Sequence, residues 1–405
     1  MRLRLCKLAQ HIAVTVSRRQ FLSTGLLTGA AALLPDAGGL LPAWAAGPVG
    51  GKDKDKARLI VNSYRFLDLE TPVSELRTWI TPVELFFVRN HVAEPFALDA
   101  DSWRLAITGE VERPLQFSLV DLAKLEPATV VNTLECAGNG RAFYEPHVPG
   151  VQWRRGAVGT ARFTGPRLGA LLERAGLKSS ARHVAFRGLD EPPGRVPPFV
   201  RSIPVEKAMD ADTLVALQMN GAPLLKHHGF PARALVPGWI GAASVKWLAE
   251  IRVLDREFEG NFMKPGYRMP RHPIAPGAEV SPDETEAVTA LRVKSIITRP
   301  AAGASAPARW PLRISGAAWA GEAEVARVEV STDSGQTWTP AEMGGDRARY
   351  AWRLWEFPWI PPRPGSYAIL ARATDGQGRA QPARPDWNPS GYLWNGMDEV
   401  RLLVE

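Results

Sequence analysis

One cysteine stands in a setting that suits a reactive or metal-binding thiol. Cys136 lies in the run Thr133-Leu-Glu-Cys-Ala-Gly-Asn-Gly-Arg141, and the only other cysteine, Cys6, falls in a segment with the features of an export signal. A lone thiol in an exported protein is an inert core residue, half of an intermolecular bridge, or a reactive or metal-binding group. The adjacent glycine, asparagine and arginine favour the last of these, because a metal-binding thiolate needs open backbone, hydrogen-bond donors and positive charge nearby.

Three further clusters combine Arg, His, Asn or Lys with glycine inside apolar segments. They are Phe87-Val-Arg-Asn-His91, the run from His227 to Arg233 that leads into 237–247, and Asn261-Phe-Met-Lys-Pro-Gly-Tyr267. Singly, each has an ordinary explanation, such as a surface ion pair for Arg89 or a hydrogen-bonded core position for His228. Together they indicate a shared binding site, because buried cations are costly unless an anion neutralises them. The clusters predict a large anionic ligand with a phosphate, held partly by backbone N–H groups.

The sequence lacks the motifs of several cofactor classes. No G-x-G-x-x-G follows a strand pattern, so a Rossmann dinucleotide site is unsupported. No C-x-x-C-H or C-x-x-C run is present for haem attachment, zinc or iron–sulfur ligation. The remaining interpretation is one thiolate as the sole protein ligand of a metal, with an organic cofactor supplying the rest.

Two folded parts must position these residues. Residues 59–285 mix short β-rich runs, such as 84–89 and 103–108, with helical pieces such as 168–174. The stretch 271–286 is rich in proline and acid, which predicts a boundary.

Residues 287–405 read as all-β. The segment 326–332 alternates with period two, Asp333-Ser-Gly335 predicts a turn, 336–338 would return the chain, and 367–374 alternates again. Short strands at this spacing predict an immunoglobulin-like sandwich without a disulfide between its sheets. The predicted fold class is therefore α+β, a mixed domain followed by an all-β sandwich.

The first 45 residues read as a twin-arginine export signal. A basic start leads to Ser17-Arg-Arg-Gln-Phe-Leu22, an apolar segment and Ala43-Trp-Ala45, which resembles a cleavage site. We therefore expect a periplasmic protein, exported folded with its cofactor inserted. Residues 46–58 are polar and glycine-rich and predict a mobile leader.

Charge and hydropathy exclude two classes of partner. The formal charge of +7 includes five basic residues and one acidic residue of 1–45, so the remainder carries only +3. That balance, with no dense basic stripe, does not indicate nucleic-acid binding. We expect no membrane span after removal of the signal.

The motifs together resemble the sulfite oxidase family of molybdenum enzymes. R-N-H, C-A-G-N-x-R, H-G-F-P-x-R, and S-V-K-W after P-G-x-x-G-A appear in family order. The resemblance implies a molybdopterin domain over 59–285 and a dimerisation domain over 287–405, and hence a homodimer. It implies that Cys136 is the molybdenum ligand, beside one pyranopterin dithiolene and oxo groups. The other cofactor-binding residues it implies are Phe87, Arg89, Asn90, His91, Asp190, His228, Arg233, Ser244, Val245 and Lys246.

The resemblance also implies a reaction. The substrate pocket would contain Arg89, Arg141, Trp153 and Tyr267, with the arginines holding an oxyanion. Sulfite would become sulfate by oxygen-atom transfer. The chain carries no haem motif, so the two electrons would leave singly to a periplasmic c-type cytochrome or a haem-bearing subunit.

One position departs from the family pattern. Vertebrate-type members have an arginine in a W-N-x-R-G run, whereas this chain reads Trp387-Asn-Pro-Ser-Gly391 and has Ser390 there. One positive charge fewer would weaken sulfite binding or mark a different substrate. The alternatives are a sulfane-sulfur dehydrogenase subunit that acts on carrier-bound sulfur and, in a different class, a non-catalytic binding protein that kept the fold.

Overall fold

The computed structural model describes residues 56–405. The predicted export signal and residues 46–55 of the predicted leader lie outside the described residues. Lys56, which falls within the predicted leader, is buried against the folded part. Within the described range, no helix has the length and apolar character needed to cross a membrane.

The N-terminal part is built mainly from short strands. These strands are β1 (Ile60–Ser63), β2 (Asp68–Glu70), β3 (Arg104–Gly109), β4 (Leu115–Ser118), β5 (Pro127–Glu135), β6 (Val158–Pro166), β7 (His183–Gly188), β8 (Val200–Pro204), β9 (Leu214–Ala216), β10 (Gln218–Met219), β11 (Ala222–Pro223), β12 (Arg233–Leu235), β13 (Leu248–Leu254), β14 (Arg268–Pro270) and β15 (Thr285–Ala287). The α-helices are α1 (Leu119–Ala123), α2 (Leu168–Ala175) and α3 (Val205–Ala208). Single 3-10 turns cover Val73–Glu75, Val83–Leu85, Arg141–Phe143, Lys226–His228, Gly241–Ala243 and Pro282–Glu284.

Two sheets of this part place the polar clusters. The four-stranded antiparallel sheet has the order β11-β10-β6-β5, and β5 ends directly before Cys136. The five-stranded sheet has the order β4-β3-β13-β7-β8 and includes one parallel pair, β3 with β13. Gly188 at the end of β7 pairs with Leu248 at the start of β13. This register puts Asp190 and Lys246, which flank those strand ends, at the same edge of the sheet.

The C-terminal part is a β-sandwich. Its strands are β16 (Lys294–Arg299), β17 (Ser305–Ala306), β18 (Leu312–Trp319), β19 (Val325–Ser331), β20 (Thr339–Pro340), β21 (Glu342–Met343), β22 (Arg353–Trp359), β23 (Gly365–Asp375) and β24 (Asp398–Val404). They form one sheet in the order β16-β18-β22-β21 and another in the order β17-β24-β23-β19-β20. Apolar side chains of both sheets, including Ile297, Trp355 and Ile369, share one buried cluster.

Most of the predicted elements are confirmed, and two are wrong in detail. The strand expected over 103–108, the helix over 168–174 and the strands over 326–332 and 367–374 are present. The α+β class is also confirmed, with far more strand than helix. The run 84–89 is not a strand: it opens with the 3-10 turn Val83–Leu85, and only Val88 makes an isolated bridge. The chain returns after Asp333 at β20 rather than at 336–338.

The predicted boundary segment 271–286 is a loop whose two ends lie side by side. β14 and β15 pair antiparallel on either side of it. The largest buried apolar cluster continues past this segment, since Ala137 and Val245 belong to it together with Trp319 and Trp352. The two parts therefore share an interior next to the cysteine.

Candidate active site

Cys136 sits in a tight turn at the end of β5. Its N–H donates to the carbonyl of Ala157 at 2.9 Å, and its carbonyl accepts from Asn139 N at 2.9 Å. Gly140 has a φ of 95°, and an added Cβ there would lie 2.5 Å from the Trp394 ring, so this turn requires glycine. Cys136 is the only cysteine among the described residues, and it is 9% exposed.

A pocket of about 710 Å³ opens beside Cys136. Its lining includes every residue that the resemblance assigned to the cofactor: Phe87, Arg89, Asn90, His91, Cys136, Asp190, His228, Arg233, Ser244, Val245 and Lys246. These side chains come from loops at the ends of β5, β7, β12 and β13, far apart in sequence. We call this space the first pocket.

Two cations of the first pocket, Arg233 and Lys246, form no ion pair with a carboxylate in the described part of the chain. Arg233 donates to the carbonyls of His228 at 3.0 Å and Ser244 at 2.9 Å, and its buried Nε has no hydrogen-bond partner among the described residues. Lys246 donates to the carbonyl of His227 at 2.9 Å and to Asn90 Oδ1. No described carboxylate forms an ion pair with either side chain. An anion in this pocket would compensate both charges.

Burial shifts the pKa values of these groups. Burial lowers the pKa of Arg233 to about 10 and that of Lys246 to about 7, although the charge of Glu94 opposes the shift at Lys246. Burial raises the pKa of Asp190 to about 6. Burial and neighbouring cations hold the pKa values of His91 and His228 well below the usual range, so both rings are neutral near pH 7.

A second pocket, of about 890 Å³, meets the first at the cysteine. Arg89, His91, Cys136 and Tyr267 line both pockets. The second pocket is further lined by Arg141 and by residues of the C-terminal part, namely Pro389, Ser390 and Tyr392. Cys136 therefore lies at the junction of the two spaces.

Arg141 is held in place entirely by backbone carbonyls. Its Nε donates to Ser390 O at 3.0 Å and its Nη1 to Val151 O at 2.9 Å. No described carboxylate forms an ion pair with it. An added Cβ at Gly138 would lie 2.7 Å from the guanidinium nitrogens, so this glycine leaves the space that the guanidinium occupies. A fixed positive charge with no carboxylate partner among the described residues suits an incoming oxyanion.

Tyr267 lies in a column of stacked rings and cations. Its ring stacks on Tyr392, with centroids 5.2 Å apart and planes 8° apart. The Arg201 guanidinium lies 4.7 Å from the Tyr267 centroid, and that of Arg141 lies 5.5 Å from the Tyr392 centroid. The Tyr267 hydroxyl contacts His91 Nε2. The backbone of Tyr267 has a φ of 57°, a conformation that non-glycine residues adopt rarely and mostly where the surroundings impose it.

One loop of the C-terminal part closes the second pocket. In this loop, 387–393, the Trp387 indole donates to Pro146 O at 3.0 Å, and Leu393 N donates to Ala137 O at 2.8 Å. Asn388 Nδ2 also donates to the hydroxyl of Tyr144 at 3.1 Å. The loop is thus bonded directly to the turn that carries the cysteine.

Comparison with known proteins identifies the family. The model of the oxidoreductase molybdopterin binding domain matches residues 91–262, and that of the Mo-co oxidoreductase dimerisation domain matches residues 285–404. Mitochondrial sulfite oxidase of Rattus norvegicus is 36% identical over 379 residues, which cover 90% of this chain and 69% of the relative. Sulfite oxidase of Arabidopsis thaliana is 31% identical over 375 residues, covering 85% and 94%.

The chain belongs to the sulfite oxidase family. The crystal structure of the sulfane dehydrogenase SoxCD from Paracoccus pantotrophus agrees with this membership: its TM-score is 0.74 at 29% identity, and the match covers 91% of this chain and 94% of that chain. The chain spans about two thirds of the length of its rat and mouse relatives. As a member of the family, the chain is a molybdenum oxidoreductase with a molybdopterin cofactor.

The residues fit that cofactor. One thiolate faces the first pocket, and no group of three or more His, Cys, Asp or Glu side chains among the described residues could hold a metal by itself. Burial raises the pKa of the Cys136 thiol, while the charges of Arg89 and Arg141 lower it. Coordination to a metal would keep this sulfur deprotonated. The unneutralised Arg233 and Lys246 match a phosphate-bearing ligand.

Trp153, which the family resemblance places in the substrate pocket, lies outside both pockets. Trp153 is 0% exposed and packs in a buried cluster with Phe86 and Phe163, and it lines neither pocket. Its indole N–H has no partner among the described residues. By contrast, Arg89, Arg141 and Tyr267 line the second pocket together.

Several lining residues carry no sequence signal. Phe199 lines the first pocket and Tyr392 lines the second, and both lie outside the clusters named from the sequence. Arg201, in β8, lies behind Tyr267 and is buried. A single aromatic or arginine in an ordinary strand or loop cannot be distinguished by type from the many others in the chain. Among the residues of the C-terminal part that line the second pocket, Ser390 is the one that the family pattern singles out.

Proposed function

We propose that this chain oxidises sulfite to sulfate in the periplasm and passes the electrons singly to an external c-type cytochrome or haem-bearing subunit. The observation that carries the proposal is the position of Cys136, shared by a cationic cofactor pocket and a second pocket with an unpaired arginine. A metal bound to Cys136 at that junction would be held by the cofactor in the first pocket and would face an oxyanion in the second.

The first pocket would hold molybdopterin. Cys136 would supply the thiolate ligand, and Arg233, Lys246 and Ser244 would bind the phosphate. Asp190 and His228 would hydrogen-bond the pterin. When bound, this cofactor supplies oxygen-atom transfer and accepts two electrons, while the protein orients it and excludes competing reactions.

The second pocket would hold the substrate. Arg141 and Arg89 would place a sulfur oxyanion beside the cysteine by charge-assisted hydrogen bonds. Arg141 needs no rearrangement for this role, because Ser390 O and Val151 O already fix its guanidinium. The Tyr267 hydroxyl would hydrogen-bond a substrate oxygen, with His91 Nε2 beside it.

Three features of the proposal come from the sequence and the family. The twin-arginine motif supports folded export to the periplasm. The match to the dimerisation domain supports a homodimer. The lack of a C-x-x-C-H haem-attachment run in the sequence supports an acceptor outside this chain.

A second candidate is the oxidation of sulfane sulfur carried by a partner protein. Ser390 favours it, because a pocket with one arginine fewer has less charge to hold free sulfite. The name of the Paracoccus relative favours it as well. Both candidates use the same cofactor and the same cysteine.

Two measurements test the proposal. Metal and pterin analysis of the protein exported by its native route should give about one molybdenum and one pterin per chain, and protein without molybdenum would overturn the enzymatic function. Steady-state kinetics with sulfite and cytochrome c should then give saturable turnover. Absence of turnover with sulfite, together with turnover of persulfide on a carrier protein, would favour the sulfane candidate.

A further inference from the structure

Lys56 inserts its side chain into the wall of the first pocket, although it precedes both matched family domains. The residue is 6% exposed. Its ammonium donates to Phe86 O at 2.9 Å and to Val83 O, and its Nζ lies 2.9 Å from the ring atom Nε2 of His228.

The contact with His228 determines the proton position on that ring. A protonated lysine has three donors and no acceptor, so Nε2 of His228 must accept. A neutral imidazole that accepts at Nε2 carries its hydrogen on Nδ1. The ring is neutral because burial and the nearby charge of Lys56 both lower the His228 pKa. The geometry therefore selects the Nδ1–H tautomer.

The backbone carbonyl and the ring of His228 are also held in place by neighbouring side chains. Arg233 Nη1 donates to its carbonyl at 3.0 Å, and the Phe86 ring packs edge-on, with centroids 5.5 Å apart. The next residue, Gly229, has a φ of 104°, and an added Cβ would approach the side chains of Lys246 and Arg233 within about 3.1 Å. The ring lines the first pocket, and no hydrogen bond joins its Nδ1 to another described residue.

We propose that Lys56 is a positioning residue that holds His228 in the Nδ1–H form, so that the ring donates a hydrogen bond to an acceptor atom of the pterin in the first pocket. This inference rests on the proposed role of that pocket. Residue 56 would then belong to the cofactor site, although sequence patterns assign it to the leader. Partners that fix the tautomer of a ligand histidine have comparable effects in metal sites.

Three variants of the full-length protein test the proposal. Lys56→Met removes the donor, and Lys56→Arg keeps a charged donor. Arg58→Met is the matched control, since Arg58 lies two residues away, with a side chain 60% exposed that pairs with Glu75 at the surface. Histidine-selective ¹⁵N NMR, with the His228 signals assigned from a His228→Gln sample, reports the tautomer. Pterin fluorescence after gel filtration reports how much cofactor each variant retains.

The expected results are specific to the tautomer. The wild type should show a protonated Nδ1 and an unprotonated Nε2 on His228, and Lys56→Met should lose that pattern and release pterin about 10-fold faster. Lys56→Arg and Arg58→Met should retain pterin as the wild type does.

A wild-type Nε2–H tautomer would overturn the inference, whether or not pterin is bound. Equal pterin retention in Lys56→Met and Arg58→Met would overturn it as well. Wild-type protein that never contains pterin would instead refute the proposed function, because the NMR measurement does not depend on the cofactor.

Discussion

Lys294 donates to Glu135 across 2.8 Å, and Glu135 immediately precedes Cys136. Lys294 also donates to Asn139 O at 3.1 Å, and the Trp319 indole donates to the second carboxylate oxygen of Glu135 at 2.8 Å. Lys294 and Trp319 lie in β16 and β18 of the C-terminal part. The turn that carries the cysteine is thus held by side chains from beyond residue 287, at a site where both charges are buried.

We expect Lys294→Met to destabilise the protein strongly. The substitution leaves the Glu135 carboxylate buried without its partner, which typically costs about 3–5 kcal/mol. Chemical denaturation should show a lower free energy of unfolding, and molybdenum content should fall because the cysteine turn loosens. Arg313→Met removes one partner of an exposed ion pair and should change stability by less than about 1 kcal/mol. Equal losses in the two variants would contradict the structural role of Lys294.

Cys136→Ser should abolish metal binding while the fold persists. Serine is similar in size, so the turn and its backbone hydrogen bonds can remain, but a hydroxyl is a poor ligand for a soft metal. Mass spectrometry should find molybdenum at background level, and circular dichroism should match that of the wild type. If the variant retains stoichiometric molybdenum, the ligand has been assigned to the wrong residue.

Arg141→Met should reduce kcat/KM for sulfite. Loss of one preorganised donor to a developing oxyanion commonly costs about 100- to 1000-fold in rate. Arg141→Lys should recover part of the loss, because it keeps the charge but not the paired contacts to Ser390 O and Val151 O. Steady-state kinetics with an artificial one-electron acceptor measures both. Arg162→Gln, an exposed change on β6, is the control, and an effect as large as that of Arg141→Met would argue against a specific role.

The stability of cofactor-free protein should rise with pH because of Lys246. Burial lowers its folded pKa to about 7 from the ordinary 10.5, despite the opposing charges of Glu94 and Asp190; Arg233 and Arg89 lower it further. Between these two values the unfolded chain binds more protons than the folded chain, so the free energy of unfolding increases as pH rises. Below pH 7 this contribution no longer changes, since lysine is protonated in both states.

Urea denaturation of cofactor-free protein at pH 7, 8 and 9 tests this expectation. The wild type should gain stability across the series, whereas Lys246→Met should gain less. Bound cofactor should flatten the wild-type response, because a phosphate raises the pKa of the adjacent ammonium. Identical slopes for both proteins would show that the pH response does not arise from Lys246.

Ser390→Arg should lower the KM for sulfite if free sulfite is the substrate. One added charge near the anion gives about a tenfold gain in affinity under partly solvated conditions. Ser390→Gln adds length without charge and should leave KM nearly unchanged. No difference between the two variants would count against an anionic substrate in this pocket and in favour of carrier-bound sulfane sulfur.

The sequence indicated which residues meet around the cysteine better than it predicted the local structure. Cys136, Arg89, Arg141 and Arg233 could be found because cysteine and glycine-flanked cations in apolar segments are uncommon. Trp153 lies in a buried cluster and not in the expected pocket, and its position could not be predicted because a tryptophan next to a motif fits a core and a pocket equally well. Tyr392 and Lys56 were missed because their roles arise only when distant segments meet. The run 84–89 has a strand-like composition, but it forms no strand. Phe86 and Phe87 are buried because their side chains pack in an apolar cluster, and not because the backbone pairs with a neighbouring strand.

The loop 387–393 lies far along the sequence from the residues that line the first pocket. Residues of the first pocket end at Tyr267, whereas Ser390 and Tyr392, which line the second pocket, are encoded more than a hundred codons later. Relatives of this enzyme could therefore acquire a new sulfur substrate by exchanging one short stretch, while every codon that builds the molybdenum centre stays unchanged.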